Sequence, residues 1–179
     1  LGGLKLIKAI AAPYGGVTFL PTGGINEQNL NEYLAFPKII ACGGSWMVSG
    51  DMINAGEFDQ IKALTREAVQ TMLGFELAHV GVNAQDADEA GGVADAFDAM
   101  FGFARKDGNS SIFAGSAVEC MKSPYLGKYG HIAIGTNTLP RAIAYFKSRG
   151  FEFNEETASP KAIYFKDEIA GFAVHLVQK

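Results

Sequence analysis

A short pattern recurs in this chain, and it limits the folds open to the second half more than any other feature. His79-Val80-Gly81-Val82-Asn83 matches His131-Ile132-Ala133-Ile134-Gly135, an offset of 52 residues from 79 to 131. Each copy alternates like a half-buried strand. Each is followed by a helical stretch (90–101 and 139–149) and then by short strands, near 103–106, 111–114 and 117–121 in the first copy and near 151–155, 162–166 and 172–177 in the second. A period near 50 residues is also that of some propellers. Two copies are too few for one, and a helix in each is foreign to a blade. The pattern predicts two βαβββ modules facing each other, joined through 122–129 around Ser123-Pro124.

All three histidines of the chain, His79, His131 and His175, fall on predicted strands at positions related by this repeat. Glu119 takes the remaining position: it lies near the end of the first unit as His175 lies near the end of the second, an offset of 56 from 119 to 175. Strand alternation keeps His79 on the face of Gly81 and His131 on the face of Ala133. Imidazoles and a carboxylate converging from two related units make a candidate metal site. Without thiolate ligands the metal stays open among Zn, Fe(II), Ni and Mn. Cys120, next to Glu119, points away by the same alternation. The acidic group Asp86, Asp88 and Glu89 reads as the electrostatics of a helix start.

The first half follows a different order. A helix over 4–10 ends before Pro13. A buried strand over 17–20 stops at Pro21-Thr22-Gly23-Gly24, and Asn26 is placed to cap a helix running to about 34. A second strand over 38–42 stops at Gly43-Gly44, and a helix over 58–73 carries Ile61, Leu64, Ala68 and Met72 on one stripe. This α-β-α-β-α order implies parallel strands. Glycine at 22 of 179 residues is in excess of the usual ~7%. Two of its pairs stand where strands end. Thr22-Gly23-Gly24 and Gly43-Gly44-Ser45 would point backbone N–H groups outward at helix starts, which suits a phosphate. Trp46, after the second loop, reads as packing.

Composition narrows the classes. With 48% hydrophobic and 19% charged residues the chain is globular. It contains no apolar run long enough to span a membrane. A net charge of −4 argues against a nucleic-acid partner. Two cysteines are too few for a disulfide framework, and the start at Leu1 has no signal-peptide pattern, so a cytoplasmic location is expected. At 179 residues there is no room for a complete ~250-residue TIM barrel with anything attached.

The run Thr18-Phe19-Leu20-Pro21-Thr22-Gly23-Gly24-Ile25, followed by Cys42-Gly43-Gly44-Ser45-Trp46-Met47-Val48, resembles the C-terminal part of the 2-keto-3-deoxy-6-phosphogluconate (KDPG) and 4-hydroxy-2-oxoglutarate (KHG) aldolases. Gly2-Gly3-Leu4-Lys5, Ala12-Pro13-Tyr14 and Arg66-Glu67-Ala68 fit as well. About 70 of the 179 residues are covered. The resemblance implies a class I aldolase on a (β/α)8 barrel, commonly a homotrimer, that needs no metal. It cleaves a phosphorylated keto acid to pyruvate and an aldehyde through a lysine Schiff base, with a glutamate handling protons. It implies that Gly23, Gly24, Gly43, Gly44 and Ser45 hold the substrate phosphate and that Thr22 lines the pocket. The family's lysine lies on a strand just before the segment matching Gly2-Gly3-Leu4, and its glutamate lies further upstream. No catalytic residue is therefore assigned within these residues. Lys5 and Lys8 read as helix surface, and the 179 residues alone are expected to show no aldolase turnover.

The second half resembles the vicinal oxygen chelate superfamily, which includes glyoxalase I, extradiol dioxygenases and fosfomycin-resistance enzymes. Paired βαβββ modules are its architecture. Its ligands lie on the first and last strands of each module, the positions of His79, Glu119, His131 and His175. The fourth is often glutamate in that family and is His175 here. The expected fold is thus α/β plus α+β: the last two βα units of a (β/α)8 barrel over 1–73, then a glyoxalase-like domain over 74–179. Beside the aldolase, two other functions stay open for the second domain: metal-dependent glyoxalase or dioxygenase chemistry, and a non-catalytic ligand-binding or assembly module.

Overall fold

The computed structural model describes residues 2–179. The chain is mixed α/β and divides into two compact units, Leu1–Met72 and Leu73–Lys179.

The first unit is mainly helical: α1 (Gly3–Ala11), α2 (Leu30–Leu34), α3 (Gly50–Ala55) and α4 (Phe58–Leu73). Its core gathers Leu4, Ile25, Leu30, Leu34 and Ile39, with Phe19, Phe36 and Trp46 packed against them. The two strands expected here do not form ladders. They meet in one parallel bridge, Phe19 to Ile39, in which Phe19 N–H donates to the Lys38 carbonyl at 2.8 Å and Ile40 N–H to the Phe19 carbonyl at 3.1 Å. The direction is the one the α-β-α-β-α order implies, but among the described residues each strand has only the other for a neighbour, and a lone pair of strands is marginal. Leu20 and Ile40 accordingly stay 53% and 60% exposed. The helix expected from Asn26 starts only at Leu30, because the Asn26 side chain accepts from the N–H groups of Gln28 and Asn29 and closes a turn first. Helix α3 was not expected. The Ser49 hydroxyl caps it by accepting from Met52 N–H.

The second unit is an eight-stranded mixed sheet with two helices. Its strands are β1 (Glu76–Asn83), β2 (Arg105–Asp107), β3 (Ser111–Ala114), β4 (Val118–Met121), β5 (Gly130–Thr136), β6 (Phe153–Asn154), β7 (Ala162–Phe165) and β8 (Phe172–Gln178). Helix α5 (Ala87–Phe101) follows β1, and α6 (Leu139–Lys147) follows β5. The order across the sheet is β2-β3-β4-β1-β5-β8-β7-β6. Each half has the same grammar: its first strand pairs in parallel with its last (β1 with β4, β5 with β8), and the remaining two continue antiparallel to the edge. The halves join where β1 and β5 run antiparallel. Helix α5 starts with reciprocal caps. Asp86 accepts from Glu89 N–H, and Glu89 accepts from Gln85 N–H. Its Ala90 and Ala94 pack on Ile112, Ala114 and Cys120, one face of the sheet. Leu73 anchors the start of this unit: its carbonyl accepts from the buried Thr136 hydroxyl at 2.7 Å and from Asn137 N–H at 2.9 Å.

Candidate metal centre and glycine loops

The register of the four central strands decides where the histidines and the glutamate point. On β1, His79 and Gly81 are two apart and share a face. Gly81 pairs with Glu119 of β4 on one side and with His131 of β5 on the other. Ala133, two beyond His131, pairs with His175 of β8. All four side chains thus leave one face, opposite the face that carries Cys120 and α5.

The side chains converge. His79 Nε2 and His131 Nε2 stand 3.2 Å apart, and Glu119 Oε2 lies 3.1 Å from the first and 3.0 Å from the second. His175 completes the group: the ligand atoms of the three imidazoles all lie within 4.8 Å of one another. His131 and His175 are buried, at 1% and 6% exposure. Among the described residues the Nδ1 atoms of both, and Nε2 of His175, have no hydrogen-bond partner. Leaving such atoms unpaired costs free energy. Protons can satisfy this trio, with Glu119 Oε2 accepting from both Nε2–H groups, but they leave both nitrogens of the buried His175 unmatched. A cation at the same point would draw on all three donors and on His175. Metal–nitrogen bonds of about 2.0–2.1 Å would bring the donor atoms of neighbouring ligands to roughly 3 Å of one another, close to the spacing found here. The donors fit a divalent ion, and the three histidines could form its site.

Each ring has room because a small residue stands opposite: Ala133 across from His79, Gly81 across from His131. A methyl group on Gly81 would lie 2.0–2.4 Å from the His131 ring. The repeat contained this signal, since His79 and His131 are each followed two residues later by Gly or Ala. Other contributors carried no signal in the sequence. The Ser111 hydroxyl donates to Glu119 Oε1 at 2.6 Å. The Tyr164 ring stacks on His175 at 4.3 Å with a 9° tilt, and Phe113 meets His79 edge-on at 5.5 Å. Burial works to raise the Glu119 carboxyl, but hydrogen bonds with His131, His79 and Ser111 outweigh it and hold the group well below the usual carboxylate range. Burial, with His131 and His79 beside it, pushes His175 down to about 3, so its imidazole stays neutral and available as a ligand.

The glycine loops lie side by side in the first unit. Gly43 N–H donates to the Pro21 carbonyl at 2.9 Å, and a methyl on Gly43 would meet Thr22 Cγ2 at 3.3 Å. Thr22, Gly23, Gly24, Gly43, Gly44 and Ser45 are therefore neighbours, and the space over Gly23 and Gly24 is open. Neither pair runs directly into a helix as the sequence suggested. Turns intervene before Leu30 and before Gly50, so loop N–H groups, not helix dipoles, would serve an anion. Trp46 packs over Gly44 and into the core, and Lys5 and Lys8 are exposed on α1.

Comparison with known proteins gives a family match for the first unit. The family model of KDPG and KHG aldolase matches residues 1–64. The 2-dehydro-3-deoxy-phosphogluconate aldolase of Treponema pallidum is 51% identical over 70 residues, which is 39% of this chain and 33% of that protein. The KHG/KDPG aldolase of Escherichia coli K12 is 48% identical over 69 residues, 38% of this chain and 32% of that protein. The chain thus spans about a third of the length of the curated relatives it matches. Among solved structures, homoprotocatechuate 2,3-dioxygenase from Arthrobacter globiformis aligns with a TM-score of 0.41 at 13% identity, over 57% of this chain and 35% of that one. The matched aldolase segment ends before α4 does, and the histidine cluster lies wholly beyond it.

Proposed function

We propose that the two units serve two chemistries, and that residues 74–179 form a metal-dependent domain of the vicinal oxygen chelate type. His79, Glu119, His131 and His175 would hold one divalent ion, Zn, Fe, Ni or Mn. The observation that carries this reading is the convergence of two Nε2 atoms and one carboxylate oxygen at 3.0–3.2 Å, beside buried imidazole nitrogens that have no other partner. When bound, such an ion supplies Lewis acidity toward two neighbouring oxygens of a small molecule, as glyoxalase-like and dioxygenase-like chemistry needs. The chain's own part is to hold the donors in place: Ser111 engages Glu119 Oε1 and leaves Oε2 toward the histidines, while Tyr164 fixes the plane of His175. The test is elemental analysis of the purified chain beside a His79→Ala/His131→Ala variant. Close to one equivalent of metal, lost in the variant, is expected. No uptake after incubation with each ion overturns the reading and leaves a binding or assembly module.

For residues 1–73 the specific observation is the identity of about half over 70 residues with KDPG aldolases. We assign this unit as the closing part of such a barrel, in a protein that performs retro-aldol cleavage of a phosphorylated keto acid to pyruvate and an aldehyde. Thr22, Gly23, Gly24, Gly43, Gly44 and Ser45 would grip the phosphate, and neither Lys5 nor Lys8 would be the Schiff-base lysine. A chimera tests this: residues 1–73 replace the matching segment of the E. coli KHG/KDPG aldolase. Retained turnover, lost on Gly43→Val, is expected. A soluble chimera without activity refutes the grip. Borohydride trapping of pyruvate on residues 1–179 alone refutes the exclusion of Lys5 and Lys8.

A further inference from the structure

On the other side of the sheet from the histidine cluster, beside helix α6, lies a pocket of about 310 Å³. The register sets its floor. Ile134 of β5 pairs with Leu176 of β8, and each is one residue beyond Ala133 and His175, so both face away from the cluster. Val174 shares the face of Leu176. Phe165 of β7 follows Tyr164, which pairs with His175, and therefore also lies on the far side.

The two modules treat this face differently. Helix α5 has 15 residues and lies along β2, β3 and β4, where Ala90 and Ala94 close onto Ile112, Ala114 and Cys120. Helix α6 has 9 residues, makes its main sheet contact with β8 and leaves space toward β7. Rings frame that space. Phe146 of α6 meets Phe75 at 5.3 Å, Phe151 at 5.4 Å and Phe165 at 4.9 Å. Rings packed on one another in this way are braced against swinging inward, so the cavity is held open.

The mouth is equally fixed. Ile169 and Phe172 exchange both backbone hydrogen bonds at 2.9 Å across Ala170 and Gly171, whose φ angles are 52° and 82°. This is the tight hairpin turn that matches strand twist. Ala170 is the one non-glycine position with positive φ among the described residues, a conformation that persists only where its surroundings hold it. The turn keeps Ile169 at the rim, 65% exposed. The polar side chains of the lining are Glu152 and Asp167. The Lys166 ammonium engages Glu152, so two carboxylates and one ammonium leave the mouth with one negative charge.

We propose that this pocket is a second ligand site, for a compact apolar molecule of about two fused rings that carries an amine and no carboxylate. A dry cavity of about 150 Å³ lined by Leu, Ile and Phe takes one benzene ring, and this one is about twice that volume. An apolar body with a few polar groups at one end is the usual build of a small-molecule site. The charge at the mouth selects against anions. The site lies on the face opposite the histidines and stands independently of any metal there.

The probes are 1-naphthylmethylamine and 1-naphthoate, nearly equal in size and opposite in charge. The full chain, labelled at its Ile, Leu and Val methyl groups, is titrated with each and followed by NMR. The amine should shift the Ile134, Val174 and Leu176 methyls saturably, with a Kd of about 0.1 mM. Ile112, in the closed counterpart of the first module, should not move. The acid should bind about tenfold more weakly at about 50 mM salt, and the gap should narrow at about 500 mM. Asp167→Lys, an exposed change, should put the acid ahead of the amine. Val174→Phe should fill the floor and abolish binding of both, with thermal unfolding confirming that the variant is folded. No saturable shift of the three methyls, equal shifts at Ile112, or binding that survives Val174→Phe overturns the site. Equal affinity for the two probes, or an unchanged order in Asp167→Lys, overturns the ligand class. Shifts of the same methyls on dilution of the chain without probe would put a second copy in the pocket and overturn the proposal as well.

Discussion

Replacing Gly81 by alanine adds one methyl group at the most crowded point of the centre. The backbone accepts alanine, since Gly81 is not among the glycines with positive φ. The obstacle is the His131 ring, whose Cε1, Nδ1 and Nε2 would lie 2.0, 2.2 and 2.4 Å from the new carbon. Ordinary carbon contacts begin near 3.4 Å, so the ring must retreat by about 1.4 Å, or the strands must part. His131 is 1% exposed, with the Tyr164 and His175 rings against it. Overpacking of this kind costs about 1–3 kcal/mol. Metal ligands tolerate displacements of only about 0.2 Å. The affinity for Zn²⁺ should therefore fall about a hundredfold, at the upper limit of what loss of an orienting partner costs. The assay pairs thermal unfolding of the full chain with Zn²⁺ titration, and hydrogen exchange across β1 and β5 locates the loss. Gly92→Ala is the control: it is exposed in helix α5 with nothing within 4 Å of the new methyl, and it should stabilise by about 0.5–1 kcal/mol. In a Gly81→Ala/His131→Ala double variant the clash is gone, so the coupling between the two changes should recover most of the cost of the first. A Gly81→Ala chain that melts and binds Zn²⁺ like the wild type would refute the idea that the small residue opposite each histidine makes room for the site.

Three further outcomes are expected. Ser111→Ala frees Glu119 Oε1 and should weaken metal binding about 10- to 100-fold in a Zn²⁺ competition titration; unchanged affinity would reduce Ser111 to packing. In the metal-free chain, His175 titrates near 3 when folded and near 6.5 when unfolded. The unfolded chain thus holds the extra proton between those limits, and stability falls as pH drops through them. This contributes a loss of about 2 kcal/mol from pH 7 to pH 5, read as the difference in urea unfolding between wild type and His175→Phe; equal pH slopes would refute it. Thr136→Val removes the hydroxyl bond to the Leu73 carbonyl, which keeps its bond from Asn137 N–H, so the cost should be about 1 kcal/mol by thermal unfolding.

The second unit was legible because its instructions are local and repeated. Alternation in 79–83 and 131–135 fixed the face of each histidine. The duplicated order of elements matches β1–β4 with β5–β8, and the 52-residue offset put related positions side by side where β1 meets β5. Ser111 and Tyr164 were not legible, because what each touches is set by pairing across strands far apart in sequence. Tyr164 meets His175 because β7 and β8 pair at those two residues, in a register that no spacing along the chain states.

The first unit was legible in a different way and less completely. Helices α1 and α4 carry their periodicity within themselves and appear where the sequence puts them. The segments 17–20 and 38–42 have the composition of buried parallel strands, but a parallel strand is stabilised by neighbours on both sides and by layers on both faces. Each finds one bridge, Phe19 to Ile39, and the apolar side chains that would face further strands stay exposed at Leu20 and Ile40. The same two segments end in Thr22-Gly23-Gly24 and Gly43-Gly44-Ser45, and their single bridge suffices to bring the two loops together, with Gly43 N–H on the Pro21 carbonyl. The juxtaposition needed to cradle an anion thus depends on one pairing, while the reading of residues as strands depends on many. A loop pair can keep its geometry where the sheet behind it is reduced to a bridge, and Gly43→Val, which drives a side chain into Thr22, would break the one without touching the other.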